Sequence, residues 1–432
     1  MVQQRSLPGI ESPSLEDTAS YTDVTSGTFL DNNKLPIHRW FRYSAGYSGA
    51  WAKDLIQREA NDQSITVFDP FVGCGTTLIA AEHCGVDSWG IDSHPFVARI
   101  AQAKLAYRSS PMDFERRTVE VLKDASRRTP NISLYPHVIR RCFTDDYLRA
   151  LDCLRQAVED MPQGRPSSRL TWLTLVAILR SVSHVGTASW QYLLPKRRKK
   201  IVTEPFAAYH EKAHIIHQDM MSADISGPAS VFALDDARSC KSVPSNIIDL
   251  VVTSPPYPNN YDYADATRLE QSFLQEIYTW GDLQKHTRKY LLRSCSQHVP
   301  EKSIDLEAVI DHKELTPIRD EINHVCNELG RIRLSRGGKK TYHNMVACYF
   351  LDLAKVWESL RRVCKSPSKV CFVIGDSAPY GVYVPVYEWL GKLALNAGFS
   401  SFSFEKIRDR NVKWKNRKHR VPLSEGRLWV SG

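Results

Sequence analysis

The sequence predicts an α/β fold, a mainly parallel sheet covered by helices on both faces and interrupted by helical inserts. Three observations predict it. Short apolar runs of strand type alternate with helix-like stretches. A glycine-rich turn, Gly73-Cys-Gly75, stands where the first such strand meets the first such helix. The fourth strand ends 184 residues after the first, at Thr253 against Asp69, where three βα units need only roughly 80–90 residues.

Thr66 to Phe68 reads as a short buried strand. It runs into Asp69-Pro-Phe-Val-Gly-Cys-Gly-Thr-Thr77 and then a helical stretch from Leu78 to Cys84, which Gly85 stops. Ser88 to Asp92 is a second strand and His94 to Tyr107 a second helix. Ser230 to Leu234 and Ile247 to Val252 read as strands three and four. A strongly periodic helix, Met345 to Val363, precedes a fifth strand, Lys369 to Ile374. Phe399 to Ile407 and Arg427 to Val430 suit an edge hairpin.

The surplus chain defines the inserts. Leu148 to Met161, Leu170 to His184 and Phe206 to Met221 all have helical patterning, so 108–225 is expected as a helical insert suited to target recognition. A second insert is expected over 270–340. The sheet domain then comprises 36–107 and 226–432, behind a flexible arm over 1–35 that is rich in Ser, Asp, Thr and Pro.

Composition narrows the function classes. The 432 residues are 42% apolar and 24% charged, ordinary for a globular chain with a sizeable core. The apolar run Leu170 to Leu179 is too short to span a bilayer, and Met1 to Arg5 lacks a signal-peptide core. A cytoplasmic protein without membrane attachment is expected. Ten cysteines without a C-x-x-C pair argue against a disulfide framework or zinc ribbon, and Cys371 reads as a small buried hydrophobe. The net charge of +9 is concentrated in Pro195 to Lys200, Arg331 to Lys340 and Lys406 to Arg420, which suits a polyanionic partner.

The motifs narrow them further. Glycines after a strand let the backbone approach a ligand closely, and the helix that follows offers free N–H groups. Asp92, nineteen residues beyond Gly73 at the next strand end, suits ribose hydroxyls. Position 78 is Leu78 where a dinucleotide fingerprint needs glycine, and Thr76 follows Gly75 where a Walker loop needs lysine. Asp235 and Asp236 end the third strand, where a carboxylate can reach an adenine amino group or simply face solvent.

The most specific signal is Asp249-Leu-Val-Val-Thr-Ser-Pro-Pro-Tyr257. Two prolines in succession fix the backbone and leave rigid carbonyl acceptors. An exocyclic amino nitrogen has its lone pair delocalised into the base. Acceptors at the Ser254 side chain and the Pro255 carbonyl draw both amino hydrogens and free that lone pair for in-line attack on a methyl group, while Pro256 stiffens the loop and Tyr257 offers a face for an extruded base.

On these two motifs the chain resembles the amino-group DNA methyltransferases, whose members carry a D-P-F-x-G-x-G-T-T loop and a T/S-S-P-P-Y or D/N-P-P-Y loop. The resemblance spans about 38–107 and 230–432, and includes His38-Arg-Trp-Phe-Arg-Tyr-Ser-Ala-Gly-Tyr-Ser48. It implies a Rossmann-like class I S-adenosylmethionine-dependent methyltransferase sheet. It implies cofactor contacts from Tyr47, Ser48, Asp69, Phe71, Gly73, Gly75, Thr76, Thr77, Asp92 and Asp236, and catalysis by Ser254, Pro255, Pro256 and Tyr257. The T-S-P-P-Y form is more typical of cytosine-N4 than of adenine-N6 enzymes. The glycine loop precedes the catalytic loop here, the reverse of the commonest order in T-S-P-P-Y enzymes, which loosens any transfer of the family's target-recognition region.

The implied partners are double-stranded DNA and a cognate restriction endonuclease, with no metal. Asn259, Asn260 and Tyr261 are expected to border the base pocket. His210-Glu-Lys-Ala-His214 matches a zinc-protease pattern, but it lies in the helical insert and is expected as helix surface. No Pro-Cys pair occurs, which removes a cytosine-C5 mechanism. The rival readings are an adenine-N6, RNA or protein amino-group methyltransferase, and a catalytically silent DNA-binding protein on the same fold.

Overall fold

Seven strands form one sheet: β1 Thr66–Asp69, β2 Asp87–Asp92, β3 Val231–Leu234, β4 Ile248–Thr253, β5 Cys364–Gly375, β6 Ser401–Asp409 and β7 Ser424–Ser431. Their order is β3-β2-β1-β4-β5-β7-β6. Strands β1 to β5 pair in parallel, and β7 lies antiparallel between β5 and β6. The computed structural model describes residues 29–43, 46–61, 63–184, 202–259, 262–299, 304–337, 340–410 and 421–432. Most of the expected N-terminal arm, the basic run 195–200 and most of the basic stretch 406–420 lie outside them.

Strand residues alternate between two cores because successive side chains point to opposite faces. Val67, Leu250, Val252, Cys371 and Val373 pack with α1 (Gly49–Ala60) and α2 (Thr76–His83). Phe68, Val251, Val370, Phe372 and Ile374 face the opposite core. Both faces are therefore buried, which explains the continuous apolar runs of the central strands.

The helices begin at residues suited to that role. Ser48 caps α1 by accepting the Trp51 N–H. His94 caps α3 (Pro95–Leu105), with Pro95 at its first position. The first insert folds as α4 (Pro111–Ala125), α5 (His137–Arg140), α6 (Asp145–Glu159), α7 (Pro166–Val182) and α8 (Pro205–Ser222). It shares one apolar core with α3, through Phe96, Val97 and Ile100. The stretch between β4 and residue 341, which begins ahead of the insert expected over 270–340 and is called the second insert below, carries α9 (Tyr263–Ala266), α10 (Arg268–Phe273), α11 (Trp280–His286), α12 (Leu306–Ile310) and α13 (Arg319–Ser335). Then α14 (Tyr342–Val363) and α15 (Val386–Asn396) cover the face of β5. Among the described residues no helix is long and apolar enough to cross a membrane. No disulfide joins any of the ten cysteines, and nine of them, Cys371 included, are buried.

Candidate active site

The sheet order reverses between β1 and β4, and a crevice opens beyond the strand ends at such a point. A cleft enclosing about 680 Å³ lies there. Its lining includes Tyr43, Tyr47, Phe71, Gly73 and Thr76 from the first motif and its upstream segment, and Asp92 and His94 after β2. Ser254 and Pro256 come from the second motif, and Tyr263, Leu291 and Leu292 from the second insert.

Behind the cleft, the Asp69 carboxylate joins the two motifs. It accepts from the hydroxyls of Thr253 and Thr77, each at 2.5 Å, and from the Phe71 N–H at 2.9 Å. The Tyr47 hydroxyl adds a bond to Thr77. Burial pushes the Asp69 carboxyl up to about 6, against those hydrogen bonds.

The glycine loop turns with positive φ at Gly73 (54°) and Gly75 (94°), conformations that disfavour other residues. The Asp92 carboxylate pins it by accepting the Gly73 N–H at 2.8 Å, and accepts the His94 N–H at 2.8 Å with its other oxygen. Burial pushes Asp92 up to about 7. His94 is pushed down to about 4 by burial and is neutral at pH 7. Its Nε2 meets the Thr267 hydroxyl at 3.1 Å, and Gln271 connects Thr267 to Thr287.

In the second motif Ser254 Oγ donates to the Val373 carbonyl at 3.1 Å, so its lone pairs remain as acceptors at the cleft. The buried Tyr349 of α14 donates to the Pro256 carbonyl at 2.9 Å. The guanidinium of Arg410 stands 5.0 Å over the Tyr257 ring. Asn259, in a left-handed conformation, donates its N–H to the Ser294 carbonyl at 2.7 Å and so joins the loop to the second insert. Asn260 and Tyr261 lie outside the described residues.

The structure thus gathers Tyr47, Phe71, Gly73, Thr76, Asp92, Ser254 and Pro256 at one cleft. Asp69 and Thr77 sit behind it, with their polar atoms engaged in the clamp. Ser48 is a helix cap and Gly75 precedes α2. Pro255 lies between the lining residues Ser254 and Pro256 and Tyr257 follows them, but neither is itself part of the cleft lining. Asp236 lies apart from the cleft lining, its carboxylate held by Arg238 at 2.6 Å. The contributions of Tyr43, His94, Tyr263, Leu291 and Leu292 were not anticipated. Only His94, placed just before a proline after a strand, carried a local signal.

The wall that holds Tyr263, Leu291 and Leu292 is pinned by charge. Asp262 pairs with Arg288, and His298 Nε2 reaches Asp262 at 3.4 Å while His298 Nδ1 bonds the Leu292 carbonyl at 2.9 Å. Burial disfavours a charged His298, but Asp262 and Cys295 together outweigh it and lift the imidazole to about 10. Asp262, His298 and Cys295 are the one grouping of metal-ligand geometry among the described residues. Two of its three donors are engaged in this ion-pair network. His210, Glu211 and His214 lie exposed on α8, and His214 bonds Gln218.

No family model matches the chain. Type II methyltransferase M.BsoBI of Geobacillus stearothermophilus is 24% identical over 426 residues, covering 89% of this chain and 82% of that protein. Type II methyltransferase M.AvaI of Anabaena variabilis is 24% identical over 404 residues, covering 86% and 81%. The chain is thus similar to type II methyltransferases over most of its length. Type II methyltransferase M.MvaI of Kocuria varians is 22% identical over 275 residues, 57% of this chain and 60% of that protein. The matches to M.BsoBI and M.AvaI leave 11% and 14% of this chain uncovered.

Proposed function

We propose that this protein is a methyltransferase that modifies DNA within a restriction–modification pair. In this reading it takes the methyl group from S-adenosylmethionine and transfers it to cytosine N4 of a flipped base. Two supports are independent of one another. The relatives that match over most of their length are type II methyltransferases. The observation that carries the chemistry is the Ser254 hydroxyl, whose proton is committed to the Val373 carbonyl.

The cleft's donor set suits the cofactor. A carboxylate, Asp92, stands at the end of β2, two positive-φ glycines open the backbone, and α2 begins at Thr76. When bound, S-adenosylmethionine supplies a methyl group on a sulfonium sulfur. Asp92 accepts hydrogen bonds from the ribose, and Tyr47 and Phe71 cover the apolar side. Ser254 Oγ and the Pro255 carbonyl accept the two amino hydrogens, which localises the nitrogen lone pair. Extruding the base costs a few kcal/mol, and stacking on Tyr257 returns about 1–3 kcal/mol. That stacking requires Arg410 to yield or share the ring face. Ser254 following Thr253, in place of Asp or Asn, favours cytosine.

Label transfer from S-adenosylmethionine to duplex DNA tests the reading. Pro255→Ala and Tyr257→Ala are expected to abolish transfer while the protein stays folded and binds cofactor. Unchanged activity in both removes the loop from the mechanism. Label in RNA or polypeptide but not DNA establishes a different acceptor. Failure to bind S-adenosylmethionine by calorimetry revives a silent DNA-binding role.

A further inference from the structure

We infer that the outer face of the second insert, over Tyr278 to Tyr290, is the surface on which the duplex lies, with Trp280 stacking on bases beside the extruded one. The inference rests on the DNA reading above and extends it to a particular surface.

Cleft geometry selects the insert. Tyr263, Leu291 and Leu292 form part of the cleft wall, whereas none of the described residues of 108–225 lines it. A base delivered to Ser254 therefore passes the second insert. The catalytic loop is tied to that insert through the Asn259–Ser294 bond, and Asp262 is tied to Arg288.

The chemistry of this face suits nucleic acid. Trp280 is 55% exposed, Tyr278 52% and Tyr290 42%, three large aromatic side chains within one short stretch. A core contact explains none of them, and exposed aromatics grouped with cations mark interaction sites. The Trp280 ring is held by the guanidiniums of Arg268 and Arg288, 4.1 and 5.0 Å from its centroid. Each arginine is fixed in turn by a carboxylate, Asp265 or Asp262. The indole is thus exposed yet pre-oriented, which lowers the entropy lost on stacking. Lys285 and Lys289 are exposed on the same stretch, and neither forms an ion pair among the described residues. On this face they supply positive charge for backbone phosphates.

Full-length wild-type protein and variants are assayed on unmethylated plasmid DNA and its duplex fragments. Trp280→Ala is expected to lose at least tenfold in kcat/KM for DNA, with S-adenosylmethionine affinity by calorimetry unchanged, and Trp280→Phe to retain most activity. Lys285→Ala with Lys289→Ala is expected to lower the salt dependence of duplex binding by about 2 in log–log slope, since each phosphate contact contributes about 0.9. Wild-type kcat/KM in Trp280→Ala together with an unchanged slope in the double variant overturns the surface while leaving the DNA reading standing. A wild-type protein that methylates no DNA overturns both.

Discussion

The Thr253 hydroxyl donates to the Asp69 carboxylate at 2.5 Å across 184 residues of chain. The bond fastens the end of β4, which opens the catalytic loop, to the end of β1, which opens the glycine loop. Removing the acceptor strands buried donors, and that costs more than the bond's net contribution. Asp69→Ala is expected to destabilise the fold by about 2–4 kcal/mol, and Thr253→Val by about 1 kcal/mol. Urea unfolding checks both. Equal and negligible losses would show that the two loops are held by other contacts.

On the proposed reading, Asp92 makes cofactor binding pH-dependent. Burial pushes its carboxyl up to about 7, above its ordinary value near 4. The folded state therefore keeps this proton to higher pH than the unfolded chain. The resulting stabilisation is complete below about pH 4 and is lost as pH rises through 7. A ligand whose hydroxyls donate to the carboxylate prefers the ionised form and binds better above 7. The dissociation constant for S-adenosylmethionine is expected to fall about tenfold from pH 6 to pH 8. Asp92→Asn is expected to bind weakly at both, with a flat profile. A flat wild-type profile contradicts the assignment.

Gly90 tests the seat of the glycine loop. A Cβ there would stand 2.5 Å from Val72 and 2.7 Å from Leu78, one in the loop and the other in α2. Gly90→Ala is expected to cost about 1–3 kcal/mol through overpacking and to weaken cofactor binding several-fold. Thermal unfolding and calorimetry together check this. Loss of stability with unaltered affinity would separate the strand from the loop.

Tyr349 positions the catalytic loop without lining the cleft. Its hydroxyl holds the Pro256 carbonyl at 2.9 Å. Tyr349→Phe is expected to cost about 1 kcal/mol of stability and to lower kcat about tenfold, with cofactor affinity and KM for DNA little changed. A change confined to KM would assign the residue to substrate binding instead.

What the sequence made legible were local patterns with a fixed period or a fixed chemistry. Apolar runs along Ile248–Thr253 and Lys369–Ile374 marked the buried strands, and the sheet took in all seven expected segments. Glycine and proline chemistry located the loops at Gly73 and Ser254, which meet at one cleft. What stayed hidden was nonlocal. Asp69 reads as a ligand residue, yet its carboxylate faces inward because Thr253 and Thr77 converge on it only after folding. Leu291 and Leu292 occupy an irregular segment without periodicity, and their place at the cleft depends on the Asp262–Arg288 and Asp262–His298 contacts. Asp236 illustrates the converse: a carboxylate at a strand end in a plausible position is taken up by Arg238, two residues on.

The most direct measurement is mass spectrometry of nucleosides from duplex DNA incubated with the purified protein and S-adenosylmethionine. The account predicts N4-methylcytosine in the wild-type reaction and its loss with Ser254→Ala. N6-methyladenine in its place would contradict the choice of base, and DNA without any methylated exocyclic amino group would contradict the central claim.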